Sequence, residues 1–273
     1  MRRPPRRLFV LLPLVSLAAC VVPDGARPNA NLGVDIASAY VFRGMIQNEN
    51  GVIQPSGVIA LPTKKDGTII ARTWANMDMS NDTGDAWLPD GHAGKFSQID
   101  YNLLYEQRLD DATLTAGFIN YNLPNGLEFP FGERGATSEF LVEGSYQLPD
   151  SWLAIVPALA VHYDFDEVEG FYIRGSLGHE HEFNEKMLLA TELGLAWMDG
   201  NQAFWHYAEP TDRSGLADLT LRGTFEYGFD NHTTASAFLA YSTIVDSQYR
   251  EWFDTIGLRP EQFYGGIGIR WSY

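Results

Sequence analysis

The last stretch of the chain, Phe263 to Tyr273, limits the possible folds more than any other. It reads Phe-Tyr-Gly-Gly-Ile-Gly-Ile-Arg-Trp-Ser-Tyr, and along a strand successive side chains point to opposite faces. Phe263, Gly265, Ile267, Ile269, Trp271 and Tyr273 share one face; Tyr264, Gly266, Gly268, Arg270 and Ser272 share the other. The first face is apolar and ends in two aromatics, while the second is small, polar and charged. That division suits a strand with hydrocarbon on one side and a wet interior on the other.

The same alternation recurs upstream in segments of roughly ten residues, the length a tilted membrane strand needs. They begin near Leu32, Val52, Thr68, Phe96, Ala112, Thr137, Leu153, Gly170, Met187, Leu216, Thr233 and Phe263. In the first, Leu32, Val34, Ile36, Tyr40 and Phe42 oppose Gly33, Asp35, Ala37, Ala39 and Arg43. In the sixth, Phe140, Val142 and Tyr146 oppose Glu139, Glu143 and Ser145. In the tenth, Leu219, Leu221, Phe225 and Tyr227 oppose Asp218, Thr220, Arg222, Thr224 and Glu226. Three segments, Val52–Thr63, Ala112–Asn122 and Thr233–Val245, show no clear phase.

The connections alternate in length. Pro62–Gly67, Leu109–Asp111, Pro149–Trp152, Phe183–Lys186 and Gly228–His232 are short turns, whereas Ser80–Lys95, Leu123–Ala136, Asp199–Gly215 and Asp246–Gln262 are long. Gly44–Gly51 and Asp164–Glu169 are modest members of the long set. Sorting loops by length to the two ends is expected of an outer-membrane barrel and has no cause in a soluble sandwich. The expectation is therefore an all-β chain: a closed, antiparallel, up-and-down transmembrane barrel of about twelve strands over residues 32–273.

The amino terminus lies outside this pattern. Arg2, Arg3, Arg6 and Arg7 precede an apolar run, Leu8 to Ala19, too short to span a bilayer as a helix. Residues 1–19 read as a signal peptide, and Leu17-Ala18-Ala19-Cys20 resembles the bacterial lipobox. That resemblance implies that Cys20, the only cysteine, is acylated and begins the mature chain, with 20–31 as a flexible tether. The full chain has 19 Lys+Arg against 35 Asp+Glu, and without the four leader arginines 15 against 35, a net of −20. Such acidity argues against nucleic acid, whose binding depends on neutralising phosphates.

Two further resemblances add to this reading. Gly268, Trp271 and Tyr273 resemble the glycine-then-aromatic terminal signal by which outer-membrane barrels are recognised for assembly. The stretch Asp35-Ile36-Ala37-Ser38-Ala39-Tyr40-Val41-Phe42-Arg43-Gly44-Met45-Ile46-Gln47 is the second. With Thr73-Trp74-Ala75-Asn76-Met77-Asp78 and Ile99-Asp100-Tyr101, it resembles the TorF-like family of outer-membrane porins over about 32–124. That family implies a small barrel that passes solutes, without an assigned substrate. Twelve-stranded barrels also include lipid-cleaving enzymes, which need a histidine and a serine together at the lipid boundary, but no serine is clearly coupled to His162, His179 or His181.

Parity places Arg43, Arg72, Asp100, Glu106, Glu139 and Glu143 on the inner face, together with Arg174, Glu192, Arg222, Glu226 and Arg270. An unpaired charge in a narrow interior is costly, so these should pair across strands. They would form either a solute-selecting constriction or a salt-bridged plug. The acidic excess favours cations or neutral solutes. His162 and Asp164 share an inner face and read as a hydrogen-bonded pair, while His179 and His181 read as interfacial side chains. No nucleophile elbow, zinc-protease motif, P-loop or dinucleotide fingerprint occurs, and neither metal nor cofactor is expected.

The combined expectation is a lipoprotein pore in the outer membrane of a Gram-negative bacterium, anchored at its amino terminus on the periplasmic side. It would be passive rather than enzymatic, with membrane lipids, the barrel-assembly machinery and small solutes as partners. The alternatives are a non-conducting surface lipoprotein that binds a partner through its long loops, and a lipid-modifying barrel enzyme.

Overall fold

The computed structural model describes residues 28–64, 66–124, 128–129, 132–133, 135–148 and 154–273. Cys20 and the leader lie outside them, as does most of the expected tether. In chain order the strands are β1 (Asn29–Ala37), β2 (Tyr40–Phe42), β3 (Met45–Asn48), β4 (Val52–Pro62), β5 (Gly67–Asp78), β6 (Phe96–Leu109), β7 (Ala112–Asn122), β8 (Glu128–Phe129) and β9 (Gly132–Glu133). Then come β10 (Ala136–Tyr146), β11 (Ile155–Asp164), β12 (Phe171–Asn184), β13 (Met187–Met198), helix α1 (Gly200–Tyr207), β14 (Gly215–Gly228), β15 (Thr233–Ile244), helix α2 (Ser247–Ile256) and β16 (Glu261–Ser272).

Twelve of these strands close into one antiparallel barrel in the order β1-β16-β15-β14-β13-β12-β11-β10-β7-β6-β5-β4, with β4 returning to β1. The wall strands begin within three residues of the positions read from the sequence. β1 starts at Asn29, so it takes in the end of the expected tether, and it pairs with the terminal strand from Asn31↔Ser272 to Ala37↔Gly266. Here the barrel closes: the first and last wall strands are neighbours.

Large apolar side chains cover the outside. Phe263 is 66% exposed and Ile267 64%, and Leu32, Ile59, Phe118, Leu159, Leu177, Leu221 and Leu239 continue the band. A soluble protein does not display a continuous belt of this kind, whereas a bilayer demands one. Aromatic pairs such as Phe118–Phe140 and Tyr163–Phe171 sit within it. Connections 38–51, 79–95, 165–170, 199–214 and 245–260, with the described residues of 123–135, fall at one end, called the outer end below. Turns 110–111, 185–186 and 229–232, with the described residues of 63–66 and 147–154, fall at the other.

One departure governs the interior. β1 stops at Ala37, and Tyr40 to Asn48 turn away from the wall as a separate β2–β3 hairpin. Arg43 therefore is not a wall residue, as strict alternation from Leu32 implied. It sits at the tip of a hairpin folded into the lumen, where Met45 and Ile46 are buried.

Candidate functional site

The hairpin tip is a two-residue turn, because Phe42 pairs directly with Met45. Arg43 and Gly44 both have positive φ, 48° and 78°, the arrangement that matches strand twist in a tight hairpin. Gly44 is also required by space: an added Cβ would lie 2.5 Å from the Asp218 Cβ and 2.9 Å from Ile244. The tip is thus pressed against the β14–β15 wall, and the Tyr207 hydroxyl of α1 donates to the Arg43 carbonyl at 2.8 Å.

The Arg43 side chain is the centre of the polar arrangement. Its Nη2 donates to Glu139 Oε2 at 2.6 Å, with side-chain exposures of 5% and 1% for the pair. Nη1 donates to Gln202 Oε1 at 3.0 Å and to His206 Nε2 at 2.9 Å. Arginine has no acceptor, so the bonding assigns His206 the neutral form with Nε2 unprotonated. The guanidinium also lies 4.3 Å from the Tyr172 ring centroid. Burial works against its charge, but the Glu139 carboxylate more than offsets this, so Arg43 is held protonated well beyond its usual range.

Glu139 accepts from three other groups: the Tyr121 hydroxyl at 3.0 Å, His162 Nδ1 at 3.1 Å and Gln202 Nε2 at 3.5 Å. A buried carboxylate with this many donors is compensated, and removing one partner is what makes such sites unstable. His162 does share the inner face with Asp164, but its bond goes to Glu139; Asp164 instead accepts from Thr137 at 2.5 Å. The hydrogen-bonded His162–Asp164 pair read from parity is not formed.

The residues quoted above for the family resemblance converge on this hairpin. Tyr40 donates to Gln98 at 2.7 Å and lies 5.5 Å, centroid to centroid, from Trp74. Asn48 and Asn76 both donate to Asp78 Oδ1, at 2.8 and 3.2 Å, tying the base of β3 to β5. Phe42 covers the inward-facing Leu104, Ile119, Tyr121 and Leu141, which form an apolar strip inside the barrel. An outer-half core of Met45, Met198, Ala217, Ile244, Tyr249 and Phe253 completes the packing.

The long loops lock over it. Trp87 N donates to the Ile46 carbonyl and Leu88 N to that of Gln47, each at 3.0 Å. Arg213 pairs with Asp246 at 2.9 Å, Arg259 with Glu49 at 3.3 Å, and Trp252 Nε1 donates to the Tyr207 carbonyl at 2.8 Å. Tyr207, Tyr249 and Phe253 are buried anchors of this cap. A cavity of about 60 Å³ remains between the hairpin and the β6–β7–β10 wall. Tyr40, Phe42, Gln47, Trp87, Tyr121, Trp205 and His206 line it, and Glu139 also borders it.

Of the other inward charges, Asp100 and Arg174 lie in the outer halves of β6 and β12, while Arg72, Glu106, Glu143, Glu192, Arg222, Glu226 and Arg270 lie in the inner halves of their strands. Arg174 and Glu192 form an ion pair across β12 and β13, and Arg270 reaches over β15 to Glu226 at 2.8 Å. Arg222 lies 3.9 Å from the Phe238 ring centroid. Arg72, Asp100, Glu106 and Glu143 also occupy inward positions, with Arg72 exposed and Asp100, Glu106 and Glu143 partly so. His179 and His181 face outward, the latter against Phe183 at 4.7 Å. Sequence reasoning missed Tyr121, Tyr172 and Gln202. Tyr121 stands in a segment without clear phase, and Gln202 carries no pattern that marks it.

No protein-family model matches the chain and no curated protein matches it, so the family resemblance stands on the quoted motif residues. Among solved structures the chain is similar to the NanC porin at 11% identity and a TM-score of 0.49, covering 88% of this chain and 98% of that one. It is also similar to the KdgM porin in complex with disordered oligogalacturonate, at 8% identity and 0.47, covering 90% and 99%. A third is OmpT of Vibrio cholerae, at 10% and 0.41, covering 91% and 97%. At these identities the likeness is one of barrel architecture.

Proposed function

We propose that this chain is an outer-membrane barrel lipoprotein acting as a narrow, passive pore for small solutes, with no cofactor and no turnover. The observation that supports this most is the division of the lumen. An inner vestibule lined by Arg72, Glu143, Arg222, Glu226 and Arg270 lies below the hairpin, and a cleft bordered by Glu139 remains beside it. Charged side chains around a constriction select by sign and size. Most of the lumen cations are paired, and the acidic excess of the chain leaves cations and neutral solutes as the favoured cargo. Planar-bilayer recording tests this: small, cation-preferring single-channel steps are expected, and a silent or anion-selective protein overturns it.

One observation favours a second reading. The loops 38–51, 79–95, 199–214 and 245–260 are interlocked over the mouth, as a platform for a binding partner would be. A folded barrel that stays silent in bilayers and in liposome swelling supports this non-conducting alternative. The lipid-modifying alternative needs a histidine and a serine together at the lipid boundary; His162 faces the lumen, whereas His179 and His181 face outward, and a lipase assay on the refolded barrel tests it. The anchor is tested separately: palmitate label should enter the protein and be lost in Cys20→Ser. An unlabelled wild-type chain overturns the lipoprotein part alone.

A further inference from the structure

Resting on the pore reading above, we propose that the β2–β3 hairpin is an acid-operated gate whose catch is Arg43, with His206 and His162 as its two triggers. Both histidines touch the catch, each on the side where a proton weakens it. His206 Nε2 accepts from Arg43 at 2.9 Å, so a proton there removes the acceptor and sets one cation against another. His162 Nδ1 already donates to Glu139 at 3.1 Å, so a second proton, taken at Nε2, turns it into a cation competing with Arg43 for the same carboxylate. Acid therefore repels the arginine from α1 and offers its counter-ion another partner.

The surroundings give the direction. Arg43 is the only ionisable group of the hairpin other than the Tyr40 phenol, so added positive charge pushes on the tip alone. Facing it are Glu139 from β10, Tyr121 from β7, Tyr172 from β12 and His206 from α1. Asp100 of β6 and Asp218 of β14 attract it from further off. His162 and Asp164 of β11 complete the set around Glu139. Release of the tip takes Phe42 off the Leu104–Ile119–Leu141 strip and joins the outer cleft to the inner vestibule.

The test pairs conductance with hydrogen exchange of the hairpin amides, corrected for intrinsic rate, in the full-length refolded barrel at pH 7.5 and 5. Acid should raise conductance several-fold and speed exchange over 40–48. His206→Gln and His162→Gln should each blunt both changes, and together abolish them. Arg43→Ala should be open at both pH values, and Arg43→Lys, a milder change, intermediate. Asp100→Asn, which removes a carboxylate that also attracts Arg43, should leave in place the part of the response that needs the two histidines. Hairpin amides equally protected at both pH values overturn the gate, as does a pH response that survives loss of both histidines. Acid release of the hairpin without current in any variant upholds the catch and overturns the pore reading.

Discussion

The outer and inner halves of this barrel share one wall and have opposite interiors. The outer half is packed like the core of a soluble domain: Met45, Met198, Tyr207, Ile244, Tyr249 and Phe253 are fully buried, and its central ion pair is sealed from water. The inner half is open, and its charges lie in water: Arg270 and Glu226 are 44% and 27% exposed although they touch. A charge pair at the outer level is therefore a structural element, since breaking it strands a desolvated ion. A pair at the inner level is screened and contributes little to stability, but it sets the field a solute meets. The same residue types do different work at the two depths.

The sharpest way to break this comparison is Glu139→Leu. Removing the carboxylate leaves Arg43 charged and buried, and a loss of roughly 3–5 kcal/mol is expected. It should appear as a lower urea midpoint for the refolded barrel in detergent. Arg43→Met combined with Glu139→Leu should recover most of that loss, because no charge is then stranded. If the single substitution is as mild as a surface change, the sealed outer core is wrong. Next comes Gly44→Val. A side chain at φ 78° costs about 1–3 kcal/mol before any clash, and here the Asp218 Cβ stands in its way. Lower stability and a displaced hairpin, seen as faster exchange of the 40–48 amides, are expected together.

The same division explains what could be read from the sequence. The wall was legible: strand starts, loop sorting and the terminal seam followed from alternation and turn residues. The segments without clear phase are β4, β7 and β15. Each carries apolar residues inward as well as outward: Val52 in β4, Ile119 and Tyr121 in β7, Phe238, Ala240 and Ile244 in β15. Their inner faces meet the hairpin and loops instead of water, so alternation is lost where the plug packs. The plug itself was misread at Arg43, because Tyr40, Phe42 and Arg43 happen to continue the parity of β1. The signal against that reading was Arg43-Gly44, a turn pair suited to positive φ. Arg174 meets Glu192 and Arg270 meets Glu226, but which charges meet depends on long-range register and loop folding. Gln202 reaching Arg43 across the mouth has no local trace.

A smaller effect is expected at the rim of the cap, where Asp246 caps α2 through Gln248 N at 2.9 Å and pairs with Arg213. Burial works against its charge, yet the Arg213 bond and the α2 amides hold its carboxyl below the usual carboxylate range. A depressed folded value stabilises above the unfolded value and loses that contribution as pH falls through the folded one. Asp246→Asn, which keeps an acceptor for the cap, should cost under about 1 kcal/mol at pH 7, because the pair is partly exposed. The difference from wild type should vanish in strong acid, below the ordinary carboxylate range. A gap in urea midpoint that persists there assigns the effect to helix capping alone.

The smallest stability effect, and the clearest functional one, belongs to the inner half. Arg270→Ala should change stability by no more than about 0.5–1 kcal/mol, since its partner Glu226 stays hydrated when released. The same change removes a cation from an acidic lumen, so the reversal potential in a salt gradient should move toward greater cation preference. Glu226→Gln should move it the opposite way. Neither should alter exchange of the 40–48 amides, because Arg270 and Glu226 pair with β14–β16 neighbours below the hairpin. A selectivity that ignores both substitutions places the filter in the outer cleft, where Glu139, Phe42 and His206 stand together, and leaves the vestibule as an unselective antechamber.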